Sequence, residues 1–214
     1  MKVVYHTAND EHSSALEEIA NSISHGIGFI AVLAAASFLF LTAAHRHNNH
    51  GVGIAIFVAA LALLYLASTL YHALPQGRIK ELFLKLDYSA IFLVIAATYT
   101  AFAHLLPGSI WSWRLLMVWS IAGLGLLLKL FDRLSPLHST LYYVAMGWLT
   151  LIAAMPLAEH MPHASVFWMI VGGLVYTWGV VFYLLGTRLR FSHLGWHVMV
   201  MLGSGCHFIA LIQY

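Results

Sequence analysis

The chain alternates between long apolar runs and short polar breaks. Seven runs stand out, at 19–44, 51–74, 82–105, 111–130, 137–158, 165–187 and 192–214. Each is close to the roughly 20 residues that an α-helix needs to cross the hydrocarbon core of a bilayer. The breaks between them carry turn chemistry, as in "HRHNNHG", "PQGR", "LPGS", "DRLSP", "EHMPH" and "TRLRFS". All are short, so consecutive helices must return antiparallel. The pattern predicts an all-α membrane protein of seven transmembrane helices. A short N-terminal segment (1–17) precedes one seven-helix domain (18–214), with no separate domain and no internal repeat.

Composition strengthens this reading. Of 214 residues, 61% are hydrophobic and 8% are charged, against about 25% charged in an ordinary globular domain. Such a chain cannot cover a soluble surface. The net charge of +2 is small and its basic residues are scattered, which argues against nucleic acid as a partner. The single cysteine, Cys206, excludes an internal disulfide and a thiolate cluster. The first 17 residues lack a basic stretch followed by an apolar core, so no cleavable signal peptide is expected. The expected location is the inner (plasma) membrane of the producing cell, as a multi-pass protein.

Basic residues in short loops set orientation. The N-terminal segment and the second, fourth and sixth breaks carry Lys2, Arg78, Lys80, Lys85, Lys129, Arg133, Arg188 and Arg190; the opposite set carries only Arg46 and Arg114. Eight against two predicts a cytoplasmic N-terminus and an external C-terminus.

With that orientation, polar residues far apart in sequence fall at one depth. Glu18, Asn21, Ser24 and His25 lie in the first turns of span one, and Ser68 and His72 in the last turns of span two. Asp87 lies one to two turns into span three, and His193 and His197 open span seven. Ionisable residues in membrane helices are costly and point to function by default. Residues four apart share a helix face, so His193 and His197 can grip one ion, and Ser68 and His72 have the same spacing. Three neutral imidazoles suffice for a catalytic zinc site with an open position. Asp87 then orients water or accepts its proton, and Ser68 hydrogen-bonds a developing oxyanion. The competing reading of such pairs is hydrogen bonding between helices. It applies more strongly to the remaining histidines: His45, His47 and His50 in an outer break, His104, His160 and His163 at outer helix ends, and His138 at an inner end. His207 lies ten residues from His197, about 15 Å along a helix, too far to share its ion. It reads as a packing or hydrogen-bonding residue. Trp111, Trp113, Trp168 and Tyr214 form an interfacial belt, and Gly172-Gly173 and Gly203/Gly205 read as close helix contacts.

The segments "EEIANSISH", "STLYH", "KLDYSAIFL" and "SHLGWHVMVMLGSGCHF" resemble the bacterial hemolysin III family, within the progestin and adiponectin receptor superfamily. Four separate stretches match in order, and the resemblance covers nearly the whole chain. It implies zinc ligands at His72, His193 and His197, close partners at Ser68 and Asp87, and a first-span motif at Glu18, Asn21 and His25. The implied topology agrees with the charge count. The chain lacks the long N-terminal domain of the animal receptors and any obvious extracellular hormone-binding segment, which argues against a receptor role.

Three functions follow as expectations. The first is a zinc-dependent hydrolase of a membrane lipid amide, similar to a ceramidase. The second is a non-enzymatic sensor or membrane-homeostasis protein with structural zinc. The third is the cytolytic, pore-forming role that the family name implies. No span carries the strongly polar stripe that an aqueous pore needs, which disfavours the third.

Overall fold

A computed structural model describes residues 14–45, 51–104, 113–186 and 188–213. Seven helices account for nearly all of them: α1 (Ala15–His45), α2 (Gly51–Ala73), α3 (Arg78–Ala103), α4 (Trp113–Leu130), α5 (Pro136–Ala158), α6 (His163–Leu184) and α7 (Ser192–Gln213). All seven are long and apolar enough to cross a membrane, and no strand occurs among the described residues. His47, His50, Trp111 and Tyr214, and the side chain of His45, lie outside what is described.

The helix starts have local causes. Ser14 and Glu17 form a reciprocal cap: the Ser14 N–H donates to Glu17 Oε2 (2.8 Å) and the Glu17 N–H donates to Ser14 Oγ (3.3 Å). α5 begins with Ser135 as N-cap and Pro136 in its first turn. α3 begins at Arg78, four residues before the apolar run, because a helix can start in polar sequence as long as its inner face is buried. Arg78 and Lys80 are therefore helical and not loop residues, and Asp87 sits about two and a half turns into the helix, deeper than the apolar run alone suggests.

Contacts fix the up-and-down arrangement. The start of α2 meets the end of α3, where Gly53 lies against His104 and Ala101. The start of α3 meets the end of α4 through Lys85 Nζ and Asp132 Oδ2, 2.8 Å apart. α3 is the central helix, packing on α2, α4, α5 and α7. Every residue from Ala96 to Ala103 is buried. Large apolar residues such as Ile30, Leu116, Leu127 and Met155 project outward from other helices, as lipid-facing side chains must.

Several buried hydroxyls are satisfied within their own helix. Thr98, Thr100, Thr140, Thr150 and Ser204 each donate to the carbonyl four residues earlier. This removes the need for water at that depth. Of the glycines expected at helix contacts, Gly172 and Gly203 are such positions. A Cβ at Gly172 would lie 2.5 Å from the His207 ring, and one at Gly203 would lie 2.9 Å from the Tyr176 ring. Gly173 and Gly205 have nothing within 4 Å. Neighbours on a helix point in different directions, so only one of each pair faces the partner.

Candidate metal centre

Antiparallel packing brings the first turns of α1, α3 and α7 to the level of the last turns of α2. Eight of the nine polar residues that the sequence places at one depth, Glu18, Asn21, His25, Ser68, His72, Asp87, His193 and His197, line one cavity of about 330 Å³. α5 and α6 form its opposite wall.

His72, His193 and His197 converge. One ring nitrogen from each lies within 4.8 Å of the others, and the ring centroids are 4.7–5.1 Å apart. Three nitrogens on one tetrahedral zinc are about 3.3 Å apart, so small ring rotations bring the set to that spacing. The three residues can therefore hold a metal ion.

The surrounding residues decide which nitrogen each ring offers. Glu18 Oε2 lies 3.3 Å from His72 Nδ1. A carboxylate accepts, so Nδ1 carries the proton and Nε2 keeps its lone pair. That Nε2 is buried with no partner. His197 Nδ1 lies 3.2 Å from the Asn21 carbonyl oxygen and 2.9 Å from Ser24 Oγ. The carbonyl can only accept, so His197 also turns its Nε2 lone pair away from α1. His193 Nδ1 is buried and unpartnered. An outer hydrogen bond that orients a ligating imidazole is the usual support of a metal site.

Two of these supports could not be read from sequence. Glu18 is shared with Lys80, whose Nζ lies 3.0 Å from Oε2 and also donates to the Tyr71 and Leu74 carbonyls at the end of α2 (2.8 and 3.2 Å). Lys80 is buried, although its position beside the "PQGR" turn suggests a solvated loop charge. Asn21 acts through its backbone carbonyl, which no residue type advertises.

Ser68 is fully buried. It faces Asp87, but short of hydrogen-bond geometry, and its Oγ has no partner. His25 stacks on His197 with ring centroids 3.6 Å apart and planes 10° apart, and neither of its nitrogens is bonded. Ten buried side-chain atoms among the described residues lack a partner, and six belong to Asn21, His25, Ser68, His72 and His193. Buried polar groups are normally satisfied. The concentration of six of the ten in one layer marks a place built for something else to occupy.

The remaining histidines have local roles. His138 Nδ1 lies 2.7 Å from Ser135 Oγ at the cap of α5. His104 and His160 bond the carbonyls four residues earlier. His207 Nε2 donates to the Met169 carbonyl at 3.2 Å, as its distance from the triad requires.

The chain is similar to known proteins over most of its length. The family described as "Haemolysin-III related" matches residues 13–208. "Hemolysin-3" of Bacillus cereus is 37% identical over 201 residues, covering 92% of this chain and 91% of that protein. "Hemolysin-3 homolog" of Bacillus subtilis (strain 168) is 38% identical over 201 residues, covering 92% and 94%. "Monocyte to macrophage differentiation factor" of Homo sapiens is 24% identical over 160 residues, covering 71% of this chain and 65% of that protein. The family match spans six helices, most of α7 and every residue of the polar layer, so this multi-pass membrane protein belongs to the hemolysin III family.

Proposed function

We propose that the chain is a zinc-dependent hydrolase of a membrane lipid amide, with its site at the cytoplasmic side of the bilayer. The observation that carries this reading is the convergence of His72, His193 and His197, with unpaired ring nitrogens on His72 and His193, on the wall of a cavity inside a membrane-spanning bundle. A zinc ion bound there supplies Lewis acidity, which polarises a carbonyl and acidifies water.

The chain's own residues do the rest. Glu18 fixes the tautomer of His72, and the Asn21 carbonyl with Ser24 fixes that of His197, so both rings offer Nε2 to an ion. Asp87 takes a proton from the attacking water as its oxygen bonds to the amide carbon. Ser68 donates to the oxygen that becomes negative. The proton passes from Asp87 to the amine nitrogen as the C–N bond breaks, and the acyl chain leaves as a carboxylate. A cavity within the bundle excludes bulk water and receives the lipid from the bilayer.

The test uses purified full-length protein in detergent. Wild type is expected to carry about one zinc per chain and to release fatty acid from at least one member of a lipid amide panel. Asp87→Asn should retain zinc and lose roughly 10²–10⁴ in rate. Zinc retention with no release above a chelator-stripped control would replace this reading with a sensor or homeostasis role built on structural zinc. Undiminished zinc in His72→Ala, His193→Ala and His197→Ala would remove the ligand assignment itself.

A further inference from the structure

The cavity does not end at the histidine triad. It continues along α7 to His207, ten residues and about 15 Å beyond His197, where Tyr176 of α6 also forms its wall. The polar groups at this depth can be accounted for proton by proton. Ser204 Oγ donates to the Val200 carbonyl (2.9 Å). The hydroxyls of Tyr65 (2.8 Å) and Tyr176 (2.7 Å) must then both donate to Ser204 Oγ. His207 Nε2 donates to the Met169 carbonyl (3.2 Å), which fixes the tautomer and leaves Nδ1 as an acceptor. Every proton of the cluster is committed, and only lone pairs remain on offer.

His207 is 92% buried, being 8% exposed, and its Nδ1 has no partner. The Cδ2–Nε2 edge of the ring packs on Gly172, which puts Nδ1 on the opposite edge. The Tyr176 and His207 rings are 5.5 Å apart between centroids. Each is seated against a glycine of the facing helix, Gly203 and Gly172, so both polar tips are held in fixed places. A buried acceptor with no donor is costly. The described carboxylates lie at helix ends or in the histidine layer, so nothing here balances a cation. The site calls for a neutral donor, and apolar neighbours such as Phe102 and Met169 suit a hydrocarbon on either side of it.

We propose that His207 Nδ1, beside the Tyr176 ring, forms a second binding subsite, for a hydroxyl group carried along the chain of a lipid whose polar end lies at the histidine triad. The inference rests on the reading that the cavity holds a lipid, but on neither the metal nor hydrolysis.

Ricinoleic and oleic acids differ only by a hydroxyl part-way along the chain, and their binding to purified full-length protein tests the proposal. Displacement of a fluorescent fatty acid is measured on zinc-replete and chelator-stripped protein. Wild type is expected to bind ricinoleic acid about three- to tenfold more tightly, the worth of one net hydrogen bond. The preference should survive removal of zinc. His207→Phe should bring the ratio toward one. His207→Leu, which also removes the acceptor and is less bulky, carries the test if His207→Phe does not fold. Equal affinity for the two acids on wild type, or an undiminished preference in both variants, overturns the subsite and leaves a lipid-filled cavity standing. Failure of both acids to bind overturns the lipid cavity together with the subsite.

Discussion

At the scale of single residues, the informative position is Glu18. The sequence marks it as an acid near a helix start, where the ordinary explanation is favourable interaction with the helix dipole. Its carboxylate instead joins a ring nitrogen of His72 to the buried Lys80, so one group serves both the metal ligand set and the packing of α1 on α2 and α3. Glu18→Gln should therefore act twice. Removing one partner of a buried pair leaves Lys80 uncompensated and lowers stability. Loosening His72 should weaken metal binding by about 10–100-fold. The double variant Glu18→Gln, Lys80→Met separates the two effects: its melting temperature in detergent should recover toward wild type, while its zinc affinity, measured against a competing chelator, should stay low. Recovery of both would make Glu18 a packing residue only. The convergence of His193 and His197 was legible, because His–x₃–His is a spacing with a geometric meaning. The supports were not, because a backbone carbonyl and a lysine beside a turn carry no such signal.

Among the helices, the apolar runs located all seven elements, since length and hydrophobicity are what a bilayer selects. They did not locate their ends. α3 extends back to Arg78 because Lys80 finds partners inside the bundle. Nor did they say which glycine of a pair faces a neighbour, since that depends on helix rotation. The structure makes a paired prediction. Gly172→Ala would put a methyl 2.5 Å from His207 Cδ2 and 3.1 Å from the Gly203 carbonyl oxygen. A ring held between two helices and a backbone atom cannot yield cheaply, so the variant should lose about 1–3 kcal/mol. Gly173→Ala, with nothing within 4 Å, should be neutral or slightly stabilising, because glycine is a poor helix residue. Thermal unfolding of the two variants side by side checks the rotation of α6. Equal losses would mean that α6 is turned differently against α7.

For the molecule as a whole, the open matter is which end of the bundle faces the cytoplasm, and the fold sharpens it. α1, α3, α5 and α7 start, and α2, α4 and α6 finish, at the end that holds the histidine triad. Arg78, Lys80, Lys85, Lys129, Arg133, Arg188 and Arg190 all belong to that end, against Arg114 at the other among the described residues, seven to one. The asymmetry is weaker than a loop count implies. Lys80 and Lys129 are buried, and Lys129 Nζ sits over the Tyr88 ring at 4.1 Å. Such residues are part of the folded bundle, whereas the positive-inside rule acts on flanking charges during insertion. Setting these two aside still leaves five to one. The triad end is therefore expected to be cytoplasmic. A reporter active only in the cytoplasm should work when inserted at Gln76, between α2 and α3, and be silent when fused after Tyr214. Substituting Arg188 and Arg190 with Gln should weaken this orientation, because both are exposed at a short connection. Substituting Lys129 with Gln should leave orientation alone and lower thermal stability. The reverse reporter pattern would put the triad at the outer face, and any lipid it acts on would then come from the outer leaflet.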